Sequence, residues 1–468
     1  MEPATLSFKD RAHDALDNEV LQSALGRIKT GWVANRARAA AGLPEFEALR
    51  DQGRDIKNHS LAHLDLYLEA FEAKVVAGGG TVHWARDAAE ARAVVLELCR
   101  AQGARTVTKS KSMVTEEIGL TAFLEAHELE PVETDLGEYI LQISGQPPSH
   151  IVGPVVHMSQ DEISDLFARH HGSPRLDDAG DLVAEARRVL RQRYLAAEVG
   201  ITGANFLVAE TGSAITVTNE GNAELTQGLP RTHIVVATLE KVVPTIEDAF
   251  TLLRLLARSA TGQEFSTYTT VMTGPRRPGD LDGPESFHVV LLDNGRTQML
   301  GNELREMLRC IRCGACMNHC PVYLATGGHA YGWVYPGPMG SVLTPQLIGI
   351  EQAFPLPNAS TFCGRCQEVC PVRIPLPKLM RHWREEQFGR GLAPASARWG
   401  LGIWAWLARR PRLYRLAARL AAAGLRSLAR DGRVRRAPLA AGWTGTRDLP
   451  APQTGGTFMS QWHARGRR

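Results

Sequence analysis

The chain is expected to fold as an α/β domain with a mainly parallel sheet, followed by a helical cysteine-rich module and an arginine-rich helical tail. Three observations predict this. Short apolar runs alternate with helical patterns from about residue 70 to 295, and seven of the eight cysteines lie between Cys310 and Cys370. From Arg381 onward, eighteen arginines and no lysine stand against Glu385, Glu386, Asp431 and Asp448, a balance of +14 in a chain of +3 overall. The 468 residues allow roughly two to four domains. With 44% hydrophobic and 22% charged residues, the composition excludes wholesale disorder and a membrane-embedded body. The first ten residues carry no apolar stretch of export type, so a cytoplasmic location is expected. No run approaches the roughly 18 apolar residues of a spanning helix; the nearest, at 401–408, is closed by Arg409 and Arg410.

Residues 1–69 read as a helical lead-in, with breaks expected near Gly42-Leu43-Pro44 and at Gly53. Gly78-Gly79-Gly80 then gives way to Thr81-Val82-His83-Trp84, a helix over 87–102 and Thr106-Val107-Thr108, the β-α-β order of a parallel sheet. Cys99 falls on that helix and reads as a small core residue. The alternation continues with strands at 140–143 and 151–152, a helix over 184–199, and strands at 206–208, 215–217 and 233–237. A helix over 245–259 and strands at 269–271 and 288–292 complete an α/β domain spanning 70–295. A helical turn at 304–309 opens the cysteine-rich domain, 300–380, whose middle is rich in Gly and Pro. The region 381–468 reads as helical to about Arg430, broken at Pro411, and ends in an extended arm.

In a long chain without an export signal, tight C-x-x-C spacing points to metal rather than to disulfides. The run Cys310-Ile311-Arg312-Cys313-Gly314-Ala315-Cys316-Met317-Asn318-His319-Cys320-Pro321 matches the bacterial ferredoxin spacing at every ligand position. Three thiolates each bind a corner of an iron-sulfur cube, and the fourth turns toward a neighbouring cluster. A zinc site is the competing reading, and a match at five positions disfavours it. The second run, Cys363-Gly364-Arg365-Cys366-Gln367-Glu368-Val369-Cys370-Pro371, supplies the second, third and fourth positions, and the missing first falls on Ser360. Crossed ligation assigns Cys310, Cys313, Cys316 and Cys370 to one 4Fe-4S cluster and leaves Cys320, Cys363 and Cys366 for another. That second site is either 4Fe-4S with a fourth ligand from Ser360, water or a partner, or 3Fe-4S; the first is favoured. The stretch of about forty residues between the runs resembles the α-helical ferredoxin module of succinate dehydrogenase-type iron-sulfur subunits, so helices are expected here. His319, beside a ligand, can tune a potential by hydrogen bonding, but a solvated surface histidine is expected.

Further segments carry a wider resemblance. Thr108-Lys109-Ser110-Lys111-Ser112-Met113, Glu133-Thr134-Asp135-Leu136-Gly137-Glu138, Glu210-Thr211-Gly212-Ser213 and Thr218-Asn219-Glu220-Gly221-Asn222, with both cysteine runs, resemble the lactate utilization protein B family. So do Gly442-Trp443-Thr444 and Arg447-Asp448-Leu449-Pro450. This family is the iron-sulfur member of a bacterial three-component system. The resemblance covers nearly the whole chain. It implies a LUD domain with the fold of CoA transferases and ribose-5-phosphate isomerase. It also implies a role in oxidising L-lactate to pyruvate, with two partner subunits and a downstream electron acceptor.

Within the α/β domain, Lys109 and Ser110 sit between a strand and a helix, where a cation and backbone N–H groups can receive a carboxylate or phosphate; a solvated turn explains them equally well. Asn219 and Glu220 follow a strand in a segment too polar for a core, and Glu210 sits at a sheet end. These five form a candidate pocket. His150 and His157 read as structural. No glycine fingerprint of a dinucleotide site follows an early strand, so neither NAD nor flavin is expected. Two functions compete: an electron-transferring component of a lactate-oxidising complex, and a self-sufficient iron-sulfur oxidoreductase acting on a small hydroxy acid in the α/β pocket. The arginine-rich tail admits a third class, binding to nucleic acid or a membrane surface. Packing on the chain itself or on an acidic partner subunit is preferred, since no nucleic-acid fold is recognisable.

Overall fold

In the computed structural model, which describes residues 2–437, 440–445, 447–453 and 456–465, the α/β part is built on strands β1 (Thr81–Ala85), β2 (Thr106–Lys109), β3 (Glu130–Glu133), β4 (Val199–Thr202), β5 (Phe206–Val208), β6 (Ser213–Thr218), β7 (Thr232–Thr238), β8 (Val242–Val243), β9 (Tyr268–Met272) and β10 (Ser286–Leu292). Six of these form one sheet in the order β1-β10-β7-β4-β2-β3, and every neighbouring pair is parallel. The central strands β4 and β7 are buried along their whole length, as a sheet covered on both faces requires.

Successive residues of a strand face opposite layers. Ile234 and Val236 of β7 pack with Val95, Leu96 and Cys99 of helix Ala88–Ala101. Val235 and Ala237 pack with Leu68, Phe71 and Val75 of helix Leu64–Ala77. Each such side chain contributes roughly 1.5–3 kcal/mol relative to exposure, and the sheet is held between two helical layers. Side-chain caps fix where helices start: Asp87 accepts from the Ala89 and Glu90 N–H groups, and Thr245 with Asp248 closes a capping box on helix Ile246–Ala260. A smaller sheet, β8-β5-β6-β9, is mixed, with β5 and β8 parallel and the other pairs antiparallel.

Several expected elements differ. Residues 140–143 lie in helix Leu136–Ser144, capped by Asp135 and closed by Gly145 in the left-handed region (φ 68°), so their apolar run is a buried helical face; 151–152 is a bend. The strands in this region are instead β3 and β4. The helix predicted over 184–199 is Ala179–Ala196, and its expected last residue opens β4. Helix Phe46–Ala62 runs through Gly53 without a break. A Cβ at Gly53 would stand 2.7 Å from Leu255 Cδ1, so this glycine marks the close approach of two helices.

The cysteine-rich part is helical as expected, with short helices Ala315–Asn318, Tyr323–Thr326 and Arg365–Glu368 and longer ones at Gly337–Ile348 and Leu376–Gly389. The chain divides into two compact units, Met1–Gln387 and Phe388–Arg468, so the N-terminal helices, the α/β domain and the cysteine-rich part share the first. In the second, helices Ala395–Ala408 and Pro411–Ser427 contain no buried residue, and Pro411 opens the latter. The end of the chain is not simply an extended arm. It holds a pairing of Arg433–Val434 with Leu449–Pro450, a helical turn at Ala441–Thr444 and helix Phe458–Arg465. Among the described residues no helix is long and apolar enough to cross a membrane.

Candidate iron-sulfur centre and adjoining cleft

The first cysteine run is a chain of backbone turns. Arg312 (φ 61°) and Gly314 (φ 74°) take left-handed conformations on either side of Cys313, and helix Ala315–Asn318 then carries Cys316. A non-glycine residue held this way costs of order 1–3 kcal/mol and persists where its surroundings over-determine it. The second run repeats the pattern. Phe362 (φ 54°) and Gly364 (φ 82°) flank Cys363, and helix Arg365–Glu368 carries Cys366. The Arg312 N–H donates to Cys310 Sγ at 3.4 Å, and the Phe362 N–H donates to Ser360 Oγ at 3.1 Å. Ser360 therefore presents an oxygen where the first run presents a sulfur. Arg384 braces this loop, donating to the Ser360 carbonyl at 3.1 Å and lying 4.1 Å over the Phe362 ring.

Cys310, Cys313, Cys316 and Cys370 line one cavity, whose other walls include Met307, Ile311, Met339, Val372 and Ile374. The Ile374 N–H donates to Cys370 Sγ at 3.3 Å. Burial, and after it the nearby Cys370, pushes the Cys313 thiol up to about 12. Burial, and after it Cys320, does the same at Cys366. Cys363, exposed, is felt by both Cys320 and Cys366. The thiols thus sort into a group of four around one apolar cavity and a second group of three that reaches the surface at Cys363. An all-thiol donor set in an apolar cavity, with backbone N–H groups aimed at sulfur, fits an iron-sulfur cluster.

Buried cations surround the first group. Arg296 donates to Glu117 through both terminal nitrogens, at 2.9 and 2.7 Å, and through Nε to Glu240 at 3.2 Å. The Tyr335 hydroxyl donates to Glu117 at 2.6 Å, and Asn294 donates to it at 2.7 Å. Arg312 approaches Glu240 at 3.4 Å and lies 4.9 Å over the Tyr335 ring. Lys57 donates to the Glu240 carbonyl. Burial works to raise the Glu240 carboxyl, but Arg296, Arg312 and Lys241 hold it down at about 2. Four cations, Lys57, Lys241, Arg296 and Arg312, face only two carboxylates here, and Cys310 acts on Lys57, Lys241 and Arg312. From the N-terminal helices, Arg50 donates to the carbonyls of Cys370 (2.8 Å) and Glu368, and Arg36 to that of Val369 (3.0 Å). His319 is buried rather than solvated: its Nδ1 lies 2.9 Å from the Ala315 carbonyl, and burial lowers it to about 4. His150 is buried against Asn318 at 2.8 Å and is likewise held neutral.

Beyond the carboxyl ends of β2 and β4 a cleft opens, lined among others by Ser110, Asn219, Glu220, Asn222, Lys241 and Cys313. Cys313 faces both the cleft and the thiol cavity. Of the five candidate pocket residues, three lie here. The Ser110 hydroxyl is buried without a hydrogen-bond partner. Asn219 accepts from the Thr267 N–H at 3.1 Å and pairs with Gln263, stitching two loops together. Glu220 accepts from the Leu136 N–H at 3.2 Å; burial and the neighbouring Asp135 raise its carboxyl. Lys109 does not line the cleft. It is buried against Glu133 (2.8 Å), Glu116 (2.9 Å) and Thr115 (3.0 Å). Glu210 also lies elsewhere, accepting from the Ile246 N–H at 3.2 Å. Sequence reasoning missed Lys241, whereas Asn222 falls in the polar segment 219–222 that it singled out. Lys241 follows the end of β7, a central strand, and the rule that parallel sheets bind ligands at their carboxyl ends points to that position.

The chain matches the LUD domain family over residues 68–292 and the 4Fe-4S dicluster domain family over 306–374. Lactate utilization protein B of Bacillus licheniformis is 42% identical over 455 residues, covering 97% of this chain and 95% of its own. Its counterpart in Geobacillus kaustophilus is 44% identical over 449 residues, 95% of this chain and 94% of its own. Among solved structures, a DUF162 family protein from Deinococcus radiodurans matches 49% of this chain and 98% of its own at 16% identity, with a TM-score of 0.27. With a LUD domain followed by a dicluster domain, and identity of this order along nearly its full length, the chain belongs to the lactate utilization protein B family.

Proposed function

We propose that the chain is the iron-sulfur electron-transfer component of a cytoplasmic assembly that oxidises L-lactate to pyruvate, working with two other lactate utilization subunits and a downstream electron acceptor. The observation that carries this reading is the sorting of seven thiols into a group of four around one apolar cavity and a surface-reaching group of three. Cys310, Cys313, Cys316 and Cys370 hold one 4Fe-4S cluster; Cys320, Cys363 and Cys366 hold the second, with Ser360 as its fourth ligand. Clusters held in this way supply one-electron transfer. The protein's part is to set the conditions. Met307, Ile311 and Val372 exclude water from the first site, while the excess of buried cations favours its more negative, reduced form. Exposed Cys363 puts the second site within reach of a partner.

A second reading, in which this chain itself oxidises a small hydroxy acid, is favoured by one observation: the cleft reaches Cys313. EPR on anaerobic protein decides between them. We expect two cluster signals with dithionite, and reduction by L-lactate only when both partner subunits are present. Reduction by lactate in isolated protein would establish the second reading, and absence of any cluster signal would defeat both.

The arginine-rich helices Ala395–Ala408 and Pro411–Ser427, with Trp399, Ile403 and Trp406 exposed, are proposed to dock on an acidic partner subunit. In flotation at low salt with vesicles containing anionic lipid, the protein is then expected to stay unbound. Co-flotation abolished by moderate salt would assign these helices to the membrane surface instead.

A further inference from the structure

The cleft beside the first cysteine group contains polar groups that no internal contact uses. Lys241 is 7% exposed, lines the cleft, and makes no hydrogen bond or ion pair among the described residues. The Ser110 hydroxyl, 1% exposed, has no hydrogen-bond partner. Asn222, 5% exposed, has a side-chain amide with no partner among the described residues. The Ser110 hydroxyl, shut from water, is costly to leave unmet, and the ammonium of Lys241 and the amide of Asn222, on largely buried residues, stand beside it in the cleft without a hydrogen-bond partner among the described residues. Together they form the donor set that receives a carboxylate. The same cleft carries Lys111 and Arg312, which add to its attraction for an anion, and Asp135 and Glu220, which can accept a hydrogen bond from a hydroxyl. Its chemistry therefore fits a small monocarboxylate with an adjacent oxygen.

We propose that Lys241, with Ser110 and Asn222, binds the carboxylate of a small 2-hydroxy or 2-oxo acid in this cleft, and that the bound acid lowers the midpoint potential of the first cluster. The proposal rests on the two-cluster reading above. The coupling is electrostatic. Cys310 lies near enough to act on the Lys241 ammonium, and Cys313 forms part of the cleft wall. An anion seated on Lys241 offsets a positive charge that favours the reduced cluster, so reduction becomes harder. Occupancy of the cleft is thereby reported to the cluster without any bond to iron.

The test is an anaerobic redox titration of the holoprotein, followed by EPR, with pyruvate, with L-lactate, and with inorganic phosphate as the comparison anion. Pyruvate or lactate is expected to move the first cluster's midpoint downward and saturably, with phosphate far weaker. In Lys241→Met the baseline midpoint is already lower, and binding of labelled pyruvate falls by at least about tenfold. Should that variant fail to take up the first cluster, Ser110→Ala carries the test through the same binding measurement, with a several-fold loss expected. No saturable shift in the wild-type protein, a full shift in Lys241→Met, or unchanged binding in Ser110→Ala would overturn the proposal. Failure here remains distinct from failure of the relay reading, which is judged by lactate-driven cluster reduction in the presence of the partners.

Discussion

Cys370→Ser abolishes the EPR signal of the first cluster, whereas Cys320→Ser abolishes that of the second, each with loss of about half the bound iron. This is the expected result of the proposed crossed ligation: Cys370, from the second run, lines the cavity of Cys310, Cys313 and Cys316, and Cys320, from the first, lies near enough to Cys363 and Cys366 for their charges to repel. Uncrossed binding predicts the reverse assignment. Ser360 adds a finer test at the site where its hydroxyl replaces a thiol. Ser360→Ala is expected to turn the second cluster into a three-iron form, with its characteristic signal in the oxidised state, and Ser360→Cys to keep four irons and resist that conversion. Iron analysis and EPR on the same samples read all four variants.

Glu117→Ala is expected to destabilise the first unit by about 3–5 kcal/mol. Glu117 and Arg296 are 0% and 2% exposed, and their contact joins the helix after β2 to the loop after β10. Tyr335 from the cysteine-rich part donates to the same carboxylate. Removing the carboxylate leaves Arg296 with one carboxylate, Glu240, and the Asp293 carbonyl, and leaves the Tyr335 hydroxyl with only the longer contact to the Met113 carbonyl at 3.4 Å. Because the cost comes from uncompensated buried groups, the double variant Glu117→Leu with Arg296→Met should lose much less than the two single losses added. Guanidinium midpoints of the anaerobic holoproteins measure this. A loss under about 1 kcal/mol in Glu117→Ala would show that the network does not hold these parts together.

The cysteine chemistry was legible because its ligand spacing is local, and β7 and β10 were legible because strands buried on both faces read as continuous apolar runs. β3 was not, because Glu-Pro-Val-Glu has no apolar run. As an edge strand it needs none, and Pro131 is tolerated there. Residues 140–143 misled because a short apolar run looks alike in a strand and on a buried helix. In the pocket, Lys109 looked available because its partners Glu116 and Glu133 are separated from it by a turn and by a whole strand crossover. Lys241 looked unremarkable for the opposite reason, since only the assembled fold shows that its ammonium has no hydrogen-bond or ion-pair partner among the described residues. Spacing reveals which groups a chain carries, while whether a charge is satisfied is a property of distant contacts.

The clamp that Arg36 and Arg50 place on the carbonyls of residues 368–370 has a consequence for biosynthesis. Those arginines leave the ribosome among the first residues of the chain, whereas Cys370 emerges long after Cys310, Cys313 and Cys316. The four-thiol pocket is complete only when the earliest helices have closed on one of the last loops of their unit. With the proposed ligation, iron insertion at the first site waits until Cys370 has emerged, and a nascent chain halted before it offers three thiols and an open side.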